Sequence, residues 1–416
     1  MKRQRALLLV LATALAAGPT LMAQADPAPN PGGPWVIDDQ TVQLNSLRSY
    51  EELVTGLDGI TARSGGASTL GWGKYKSNLG RAVPYVEVGD GPTAVIIAAQ
   101  QHGNEMETSD SVVALARYLS GSSAAAKALR AKLTMVLVPR VNVDGFDGKL
   151  ADGTPITDTR GNVTPWRQNY DPRFTSAPLP PFYALGRGYD INRYHAFRPE
   201  CPLDNPNWPD ITTGVTSCET TDWASGPAPY DLTQGNPVPE AKTVRALFDK
   251  YQPVAVMDFH HQGTLTDSDG RMITGSTLWP TAASSADRLE AVDPQARERF
   301  DGGQLMARKV VSVLTDSVQK YGYANISRYP GGTEPGISRN AYGLLGSGSV
   351  LLELRGGIGQ KSNGYIQKIG YQVGMSVLTE IARDPALAHV STATADGLQP
   401  GTPASSPHDE EGEGSD

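Results

Sequence analysis

Short apolar runs alternate with amphipathic stretches along the middle of the chain. The apolar runs are β-branched in their centres, as strands buried on both faces are, and they occupy Thr93–Ala99, Leu133–Pro139, Pro253–Phe259 and Ser349–Leu354. Apolar residues recur at helical spacing between and after them, over Glu107–Leu119, Glu240–Tyr251, Gly303–Tyr321 and Tyr365–Arg383. Strands that alternate with helices predict an α/β sheet covered by helices on both faces.

The two ends of the chain lack this pattern. A basic start at residues 2–5, the apolar run Ala6–Ala17 and the Ala-Gln-Ala sequence at 23–25 are typical of a secretory signal peptide cleaved after Ala25. We therefore expect a secreted or periplasmic protein without a membrane span, because no later stretch reaches about 18 apolar residues. The predicted division of the chain is a signal peptide at 1–25, a mobile Pro/Gly-rich leader at 26–35, one catalytic domain at 36–395 and an acidic disordered tail at 396–416.

Composition narrows the class of partner and the redox state. The chain has 36 basic and 44 acidic residues, for a net charge of −8, which argues against a nucleic-acid partner. Its two cysteines, Cys201 and Cys218, predict one disulfide in an exported protein. A metal site with both cysteines is disfavoured, since no histidine lies between them.

Candidate chemistry lies where the predicted strands end. His102 and Glu105 follow the first apolar run as an H-x-x-E pair, whose spacing lets both side chains reach one point and whose donors suit zinc. Taken alone the pair is equally compatible with an incidental histidine beside a helix-start glutamate. His260 ends another apolar run, and Glu353 is a lone acid within a third. Together they predict a three-ligand zinc site with a general base.

Six short motifs, in one order along Gly91–Gly357, resemble those of the zinc metallocarboxypeptidases of the carboxypeptidase A type. They are His102-Gly103-Asn104-Glu105, Asn142-Val143-Asp144-Gly145 (with Val143 in place of proline), Trp166-Arg167, Asp190-Ile191-Asn192-Arg193, His260, and Gly331-Gly332-Thr333 with Glu353-Leu354-Arg355. The resemblance implies an α/β/α sandwich with a central mixed, mostly parallel sheet flanked by helices. It also implies one Zn²⁺ per chain.

The resemblance assigns a role to each matching residue. The metal ligands would be His102, Glu105 and His260, and Glu353 would be the general base. Arg167 would stabilise the oxyanion, and Asn192 and Arg193 would bind a terminal carboxylate. Asp190 would bond the second nitrogen of His102. These roles agree with the chemistry of the side chains, since a guanidinium matches a carboxylate in geometry and charge. The expected substrate is a peptide with a free C-terminal carboxylate.

Some assignments stay open at this stage. His260 is preferred to His261 because it shares strand parity with Asp258, which can orient it. Glu107 is set aside because it is rotated away from the H-x-x-E pair, and His195 is interpreted as a loop residue. Glu334 follows the Gly-Gly-Thr segment, where an acid can favour basic C-terminal residues, or be a surface glutamate. Neither Tyr329 nor Tyr342 is in clear register with the family's lid tyrosine.

The expected function is therefore an exported zinc metallocarboxypeptidase. One alternative is a zinc-dependent deacylase of small N-acyl amino acids, of the aspartoacylase or succinylglutamate-desuccinylase type, and another is a murein-peptide peptidase. The Trp166-Arg167 element and the Glu353-Leu354-Arg355 end favour the peptidase over the deacylase. A non-catalytic binding protein is disfavoured, because all three ligands and the base are present.

Overall fold

The computed structural model describes residues 48–147, 154–155, 167–172, 188–197, 236–263, 265–291, 293–320, 324–355 and 360–403. The predicted signal peptide and leader lie outside the described residues. So do Trp166 and the predicted disulfide partners, Cys201 and Cys218. Within the described part, no helix is both long and apolar enough to cross a membrane.

An eight-stranded sheet forms the centre of the fold, and a two-stranded ribbon lies apart from it. In chain order the strands are β1 (Ser68–Lys76), β2 (Ala82–Val88), β3 (Thr93–Ala99), β4 (Leu133–Val138), β5 (Ala255–Gln262), β6 (Leu265–Thr266), β7 (Gly275–Leu278), β8 (Ile326–Arg328), β9 (Gly348–Arg355) and β10 (Thr402–Pro403). The sheet order is β1-β2-β4-β3-β5-β9-β7-β8, and β6 pairs with β10. Its four central strands, β4-β3-β5-β9, run parallel, whereas β1, β2 and β7 join antiparallel. The sheet is therefore mixed and mostly parallel, as expected.

Helices cover both faces of the sheet. They are α1 (Tyr50–Ala62), α2 (Glu107–Leu119), α3 (Ala124–Arg130), α4 (Val143–Asp147), α5 (Pro239–Tyr251), α6 (Ala283–Leu289), α7 (Ala296–Gln319), α8 (Ser338–Leu344), α9 (Gln360–Arg383) and α10 (Ala393–Gly397). Alternate residues of β3 enter different cores, because side chains on a strand point to opposite faces. Val95 and Ile97 pack with α1, α2, α7 and α9, while Ile96 and Ala98 pack with α5 and α8. The α/β/α sandwich is confirmed.

Two differences from the sequence prediction affect the site and the end of the domain. The strand β5 continues three residues beyond Phe259, so His260 and His261 belong to the strand. The fold also continues past residue 395. Leu398 is buried in the larger core, and Thr402–Pro403 pair with β6, so residues 396–403 pack onto the domain and do not begin a disordered tail. Burial of Leu398 and the strand pairing order these residues, because they offset the conformational entropy that the chain loses on ordering. Residues 404–416 lie outside the described part.

Candidate active site

The site lies where β3, β5 and β9 end, because the carboxyl ends of neighbouring parallel strands meet at one edge of a sheet. The chain turns sharply after β3 at Gln100, whose φ of 54° is unusual for a residue with a side chain. The Gln100 side chain holds this turn, since its amide donates to the carbonyl of Gly103 and accepts from Arg140. The turn carries His102 and Glu105 into the site.

Three of the predicted side chains converge on one point. Nδ1 of His102 lies 2.6 Å from Oε1 of Glu105, and Nδ1 of His260 lies 2.8 Å from its Oε2. The two Nδ1 atoms are 3.2 Å apart. Two imidazole nitrogens and a carboxylate are the donors that zinc prefers, and within the described residues these three side chains can hold one metal ion. The residues therefore fit the metal that the sequence predicts.

Each imidazole of the cluster bonds one buried aspartate through the ring nitrogen that points away from the cluster. Nε2 of His102 lies 3.0 Å from Asp190, and Nε2 of His260 lies 2.9 Å from Asp258. A carboxylate on one ring nitrogen fixes the proton there and leaves the other nitrogen to coordinate a metal. Both histidines thus present Nδ1 to the cluster, as expected for His102 from Asp190 and for His260 from Asp258.

The charged groups of the cluster shift one another's pKa values in the direction opposite to the effect of burial. Burial alone raises the pKa of Glu105, but His102 and His260 hold that pKa well below its ordinary value. Burial likewise lowers the pKa of His260, yet Asp258 and Glu105 hold it well above the ordinary value. Glu105 is therefore an ionised carboxylate inside the protein, which is the form that binds a divalent cation.

Asp190 joins the metal cluster to the predicted substrate-binding residues. Its second oxygen accepts from Nε of Arg167 at 3.0 Å and lies 3.9 Å from Nη1 of Arg193. Burial raises the pKa of Asp190, but Arg167, His102 and Arg193 hold it well below the ordinary value. The Asn192 side-chain oxygen accepts from the backbone of α8 at 2.8 Å. One aspartate therefore fixes an imidazole and positions two guanidinium groups.

The segment Asn142–Gly145 fastens the loop that carries Arg167. The Asn142 amide donates to the backbone carbonyls of Arg167 and Gln168, and Gly103 donates its backbone amide to Arg167 as well. Gly145 packs against the same loop, where a Cβ would fall 2.4 Å from the Gln168 carbonyl oxygen. This motif therefore has a structural role, which is to hold Arg167 beside the first zinc motif.

Glu353 lies on β9 directly beside His260, because the two residues are register partners in the parallel pair β5–β9. It is buried, with 6% of its surface exposed. A single cleft is lined by six of the predicted residues: His102, Glu105, Arg167, Asn192, Arg193 and Glu353. The structure thus brings the metal cluster, the candidate base and the three candidate anion-binding residues to one opening.

His261 and Glu107 form a pair of their own beside the cluster. Nδ1 of His261 lies 2.8 Å from Oε2 of Glu107, and both side chains are largely buried. The backbone amide of His261 donates to Glu105 at 3.2 Å. Setting these two residues aside as ligands agrees with the geometry, since the groups that meet at the cluster are Glu105 and His260.

The two candidate lid tyrosines, Tyr329 and Tyr342, and the candidate specificity residue Glu334 lie in different positions relative to the cleft. Tyr329 lines the cleft, whereas Tyr342 is fully buried and stacks on Phe248 at 4.8 Å. The Glu334 carboxylate lies against the backbone of Gly332, and Glu334 is not among the described residues that line the cleft. A role for Glu334 in side-chain preference stays a prediction.

Two features of the site escaped the sequence reasoning. Behind the cluster, a buried chain of hydrogen bonds runs from Tyr342 through His195 and Gln101 to Asp258, with distances of 2.9, 2.6 and 2.6 Å. His195 is thus a buried loop residue and not a ligand. Arg339 also lines the cleft. Neither Gln101 nor Arg339 stands out in sequence, because each lies in a polar stretch of sequence of the kind found on protein surfaces.

Comparisons with known proteins agree with this geometry. The zinc carboxypeptidase family model, Peptidase_M14, matches residues 73–358. Bovine thrombin-activatable fibrinolysis inhibitor, solved with tick carboxypeptidase inhibitor, superposes with a TM-score of 0.53 at 16% identity, over 81% of this chain and 98% of that one. Carboxypeptidase A from Helicoverpa armigera gives 0.51 at 16% identity, over 82% and 74%.

At such identities the solved structures share the fold alone. No curated protein matches the chain significantly. The family model spans more than half of the residues, including all three candidate metal ligands and Glu353. The chain therefore belongs to the zinc carboxypeptidase family, whose members are metal-dependent peptide hydrolases.

Proposed function

We propose that the protein is an exported zinc carboxypeptidase that removes the C-terminal residue of peptides, with Glu353 as general base. One observation carries the proposal. The metal-ligand cluster, a buried glutamate in register with one of its ligands, and two arginines held by Asp190 all border one cleft.

Recognition of a free C-terminus rests on Asn192 and Arg193. Both lie on the short turn 191–193 that Asp190 caps, and both border the cleft. A guanidinium matches a carboxylate in charge and in the spacing of its donors. A peptide whose terminal carboxylate meets Arg193 places its last peptide bond toward the cluster and Glu353.

The chemistry divides between the metal and two side chains. Bound zinc would lower the pKa of a water and polarise the scissile carbonyl. Glu353 takes the proton of the attacking water and delivers it to the leaving amine. Arg167 faces the carbonyl oxygen as negative charge develops there, and Asp190 keeps the guanidinium oriented.

Paired peptides that differ only at the C-terminus test this function. The zinc-loaded protein should release the last residue from a free-acid peptide, should act poorly on the amidated peptide, and should lose activity with a chelator. Arg193→Ala should lower kcat/KM on the free-acid peptide by about 10- to 100-fold, since a hydrogen bond to a charged group is lost. Arg328→Ala, at an exposed arginine, is the matched control.

Cleavage of internal bonds, or of N-acyl amino acids in preference to peptides, would contradict the proposal. The second result would favour a deacylase. An Arg193→Ala protein with unchanged kcat/KM on free-acid peptides would remove the basis for exopeptidase action.

Export is the second part of the proposal. It is supported by the basic start, the apolar run Ala6–Ala17 and the Ala-Gln-Ala sequence at 23–25. Expression in a bacterial host with a Sec pathway should yield protein outside the cytoplasm whose first residue is Asp26. Intact Met1 on protein retained in the cytoplasm would contradict export.

A further inference from the structure

The cleft contains a third arginine to which neither recognition of the C-terminus nor the chemistry gives a role. Arg339 is the second residue of α8 and is 2% exposed, yet it borders the cleft. One of its terminal nitrogens donates to the Gly332 carbonyl. Its Nε is buried without a hydrogen-bond partner among the described residues.

No carboxylate of the described chain forms an ion pair with Arg339 within 4.0 Å, although Glu334 and Glu353 are near enough to act on it electrostatically. Burial lowers the pKa of Arg339 to about 10, so the guanidinium remains charged at neutral pH. A buried cation with incomplete pairing costs stability. A bound ligand that carries a negative charge would complete the pairing of the Arg339 guanidinium and offset this loss of stability.

The surroundings of Arg339 fit a side chain of the substrate. Leu351 borders the cleft and shares a face of β9 with Glu353, about 7 Å further into the sheet. Ile337 gives a second apolar wall. Gly331 packs against both the Tyr329 ring and Arg339, since a Cβ there would fall 2.8 Å from the ring and 3.0 Å from Nη2 of Arg339. The pocket therefore combines apolar walls with a buried cation.

We propose that Arg339 binds the side-chain carboxylate of an acidic C-terminal residue, so that the enzyme prefers peptides that end in glutamate or aspartate. This inference rests on the proposed function, because it assumes that Asn192 and Arg193 hold the α-carboxylate. The walls formed by Leu351 and Ile337 contact the aliphatic part of the side chain. The opposite preference, for basic residues through Glu334, is the competing outcome.

Four peptides that are identical except for a C-terminal Glu, Gln, Lys or Leu test the proposal. For the zinc-loaded wild type, kcat/KM for the Glu peptide should exceed that for the isosteric Gln peptide by about 10- to 100-fold. Arg339→Met should remove this difference by lowering kcat/KM for the Glu peptide to that for the Gln peptide. Arg328→Met, with the same change of charge at an exposed site, should leave it intact.

Binding of the product gives a readout that does not depend on turnover. The wild type, without metal, should bind L-glutamate more tightly than L-glutamine, and Arg339→Met should not distinguish the two. Arg339→Lys keeps the charge and should retain part of the preference. If the Met variant does not fold, the wild-type peptide series and the Lys variant still decide the matter.

Two failures are distinguishable. Equal or faster cleavage of the Gln, Leu or Lys peptide by the wild type overturns the role of Arg339 and leaves the carboxypeptidase reaction standing; preference for Lys would assign specificity to Glu334. Cleavage of none of the four peptides contradicts the proposed function and, with it, the role of Arg339.

Discussion

At the scale of single residues, the metal cluster depends on how each imidazole is oriented. Asp190 and Asp258 bond the outward nitrogens of His102 and His260, and Gln101 in turn donates to Asp258 at 2.6 Å. Sequence reasoning reached both aspartates, one from a family motif and one from strand parity. It did not reach Gln101, because hydrogen bonds between distant loops leave no local pattern.

Loss of one ligand should abolish tight metal binding. In His102→Ala the cluster keeps one imidazole and one carboxylate, too few donors for a stable zinc site. We expect metal analysis after dialysis to find one zinc per chain in the wild type and far less than one in the variant. His389→Ala, at a surface histidine that bonds Glu380, is the control and should keep its zinc. Stoichiometric zinc in His102→Ala would contradict the ligand assignment.

A second residue, Glu240, should make stability depend on pH. Burial, reinforced by Asp144, raises the pKa of this carboxyl to about 8, although its hydrogen bond from Asn169 acts in the opposite direction. Between pH of about 4.5 and 8 the folded state holds a proton that the unfolded state has lost. The free energy of unfolding therefore falls as pH rises through this window, by up to about 1.4 kcal/mol per unit from this group.

Glu240→Gln should remove that contribution, so the variant loses less stability than the wild type between pH 5 and 8. Urea unfolding at several pH values measures the difference. Glu298→Gln, at an exposed glutamate on α7, is the matched control and should follow the wild type. Parallel stability curves for Glu240→Gln and wild type would show that Glu240 is ionised in the folded protein.

At the scale of elements, the continuity of the apolar run decides which strands the sequence predicts. β3 is an uninterrupted apolar run, so its prediction matches the strand residue for residue. β1 is partly exposed along its length, and β7 and β8 are short, so none of them forms such a run. Similarly, α7 begins at Ala296, seven residues before its predicted start at Gly303, because its first two turns are mostly polar. The largely buried strand β2 was missed as well, because Pro84 and Glu87 interrupt its apolar residues.

The turn at Asn142–Gly145 should be sensitive to a single added methyl group. In Gly145→Ala the new Cβ would meet the Gln168 carbonyl at 2.4 Å, so the loop that carries Arg167 must move. We expect a loss of about 1–3 kcal/mol in the free energy of unfolding and a lower kcat. Thermal unfolding and steady-state kinetics measure the two effects.

Gly302→Ala is the control for that substitution. Gly302 lies within α7, and a Cβ there has nothing within 4 Å. Alanine should stabilise the helix by up to about 1 kcal/mol. If Gly145→Ala were as stable and as active as Gly302→Ala, the turn would not hold Arg167.

At the scale of the whole molecule, order and spacing of motifs were enough to predict the family and the layered sheet. The arrangement of the cleft was not predictable, because Arg339 reaches it from α8 and its neighbours Leu351 and Gly331 come from other segments. The segment from Asp144 to Val238, rich in Gly and Pro, supplies Arg167, Asp190, Asn192 and Arg193 to the described site. The sequence pattern thus predicted the candidate metal ligands and base better than the residues that line the substrate side-chain pocket.

The most direct test of the account is the Glu353→Gln protein, assayed for metal content and for turnover of a free-acid peptide. The amide keeps the shape of the side chain but cannot take a proton from water. We predict one zinc per chain, as in the wild type, and a kcat lowered by at least about 10²- to 10⁴-fold. A zinc-loaded Glu353→Gln protein with near-normal kcat would contradict the assignment of Glu353 as the base.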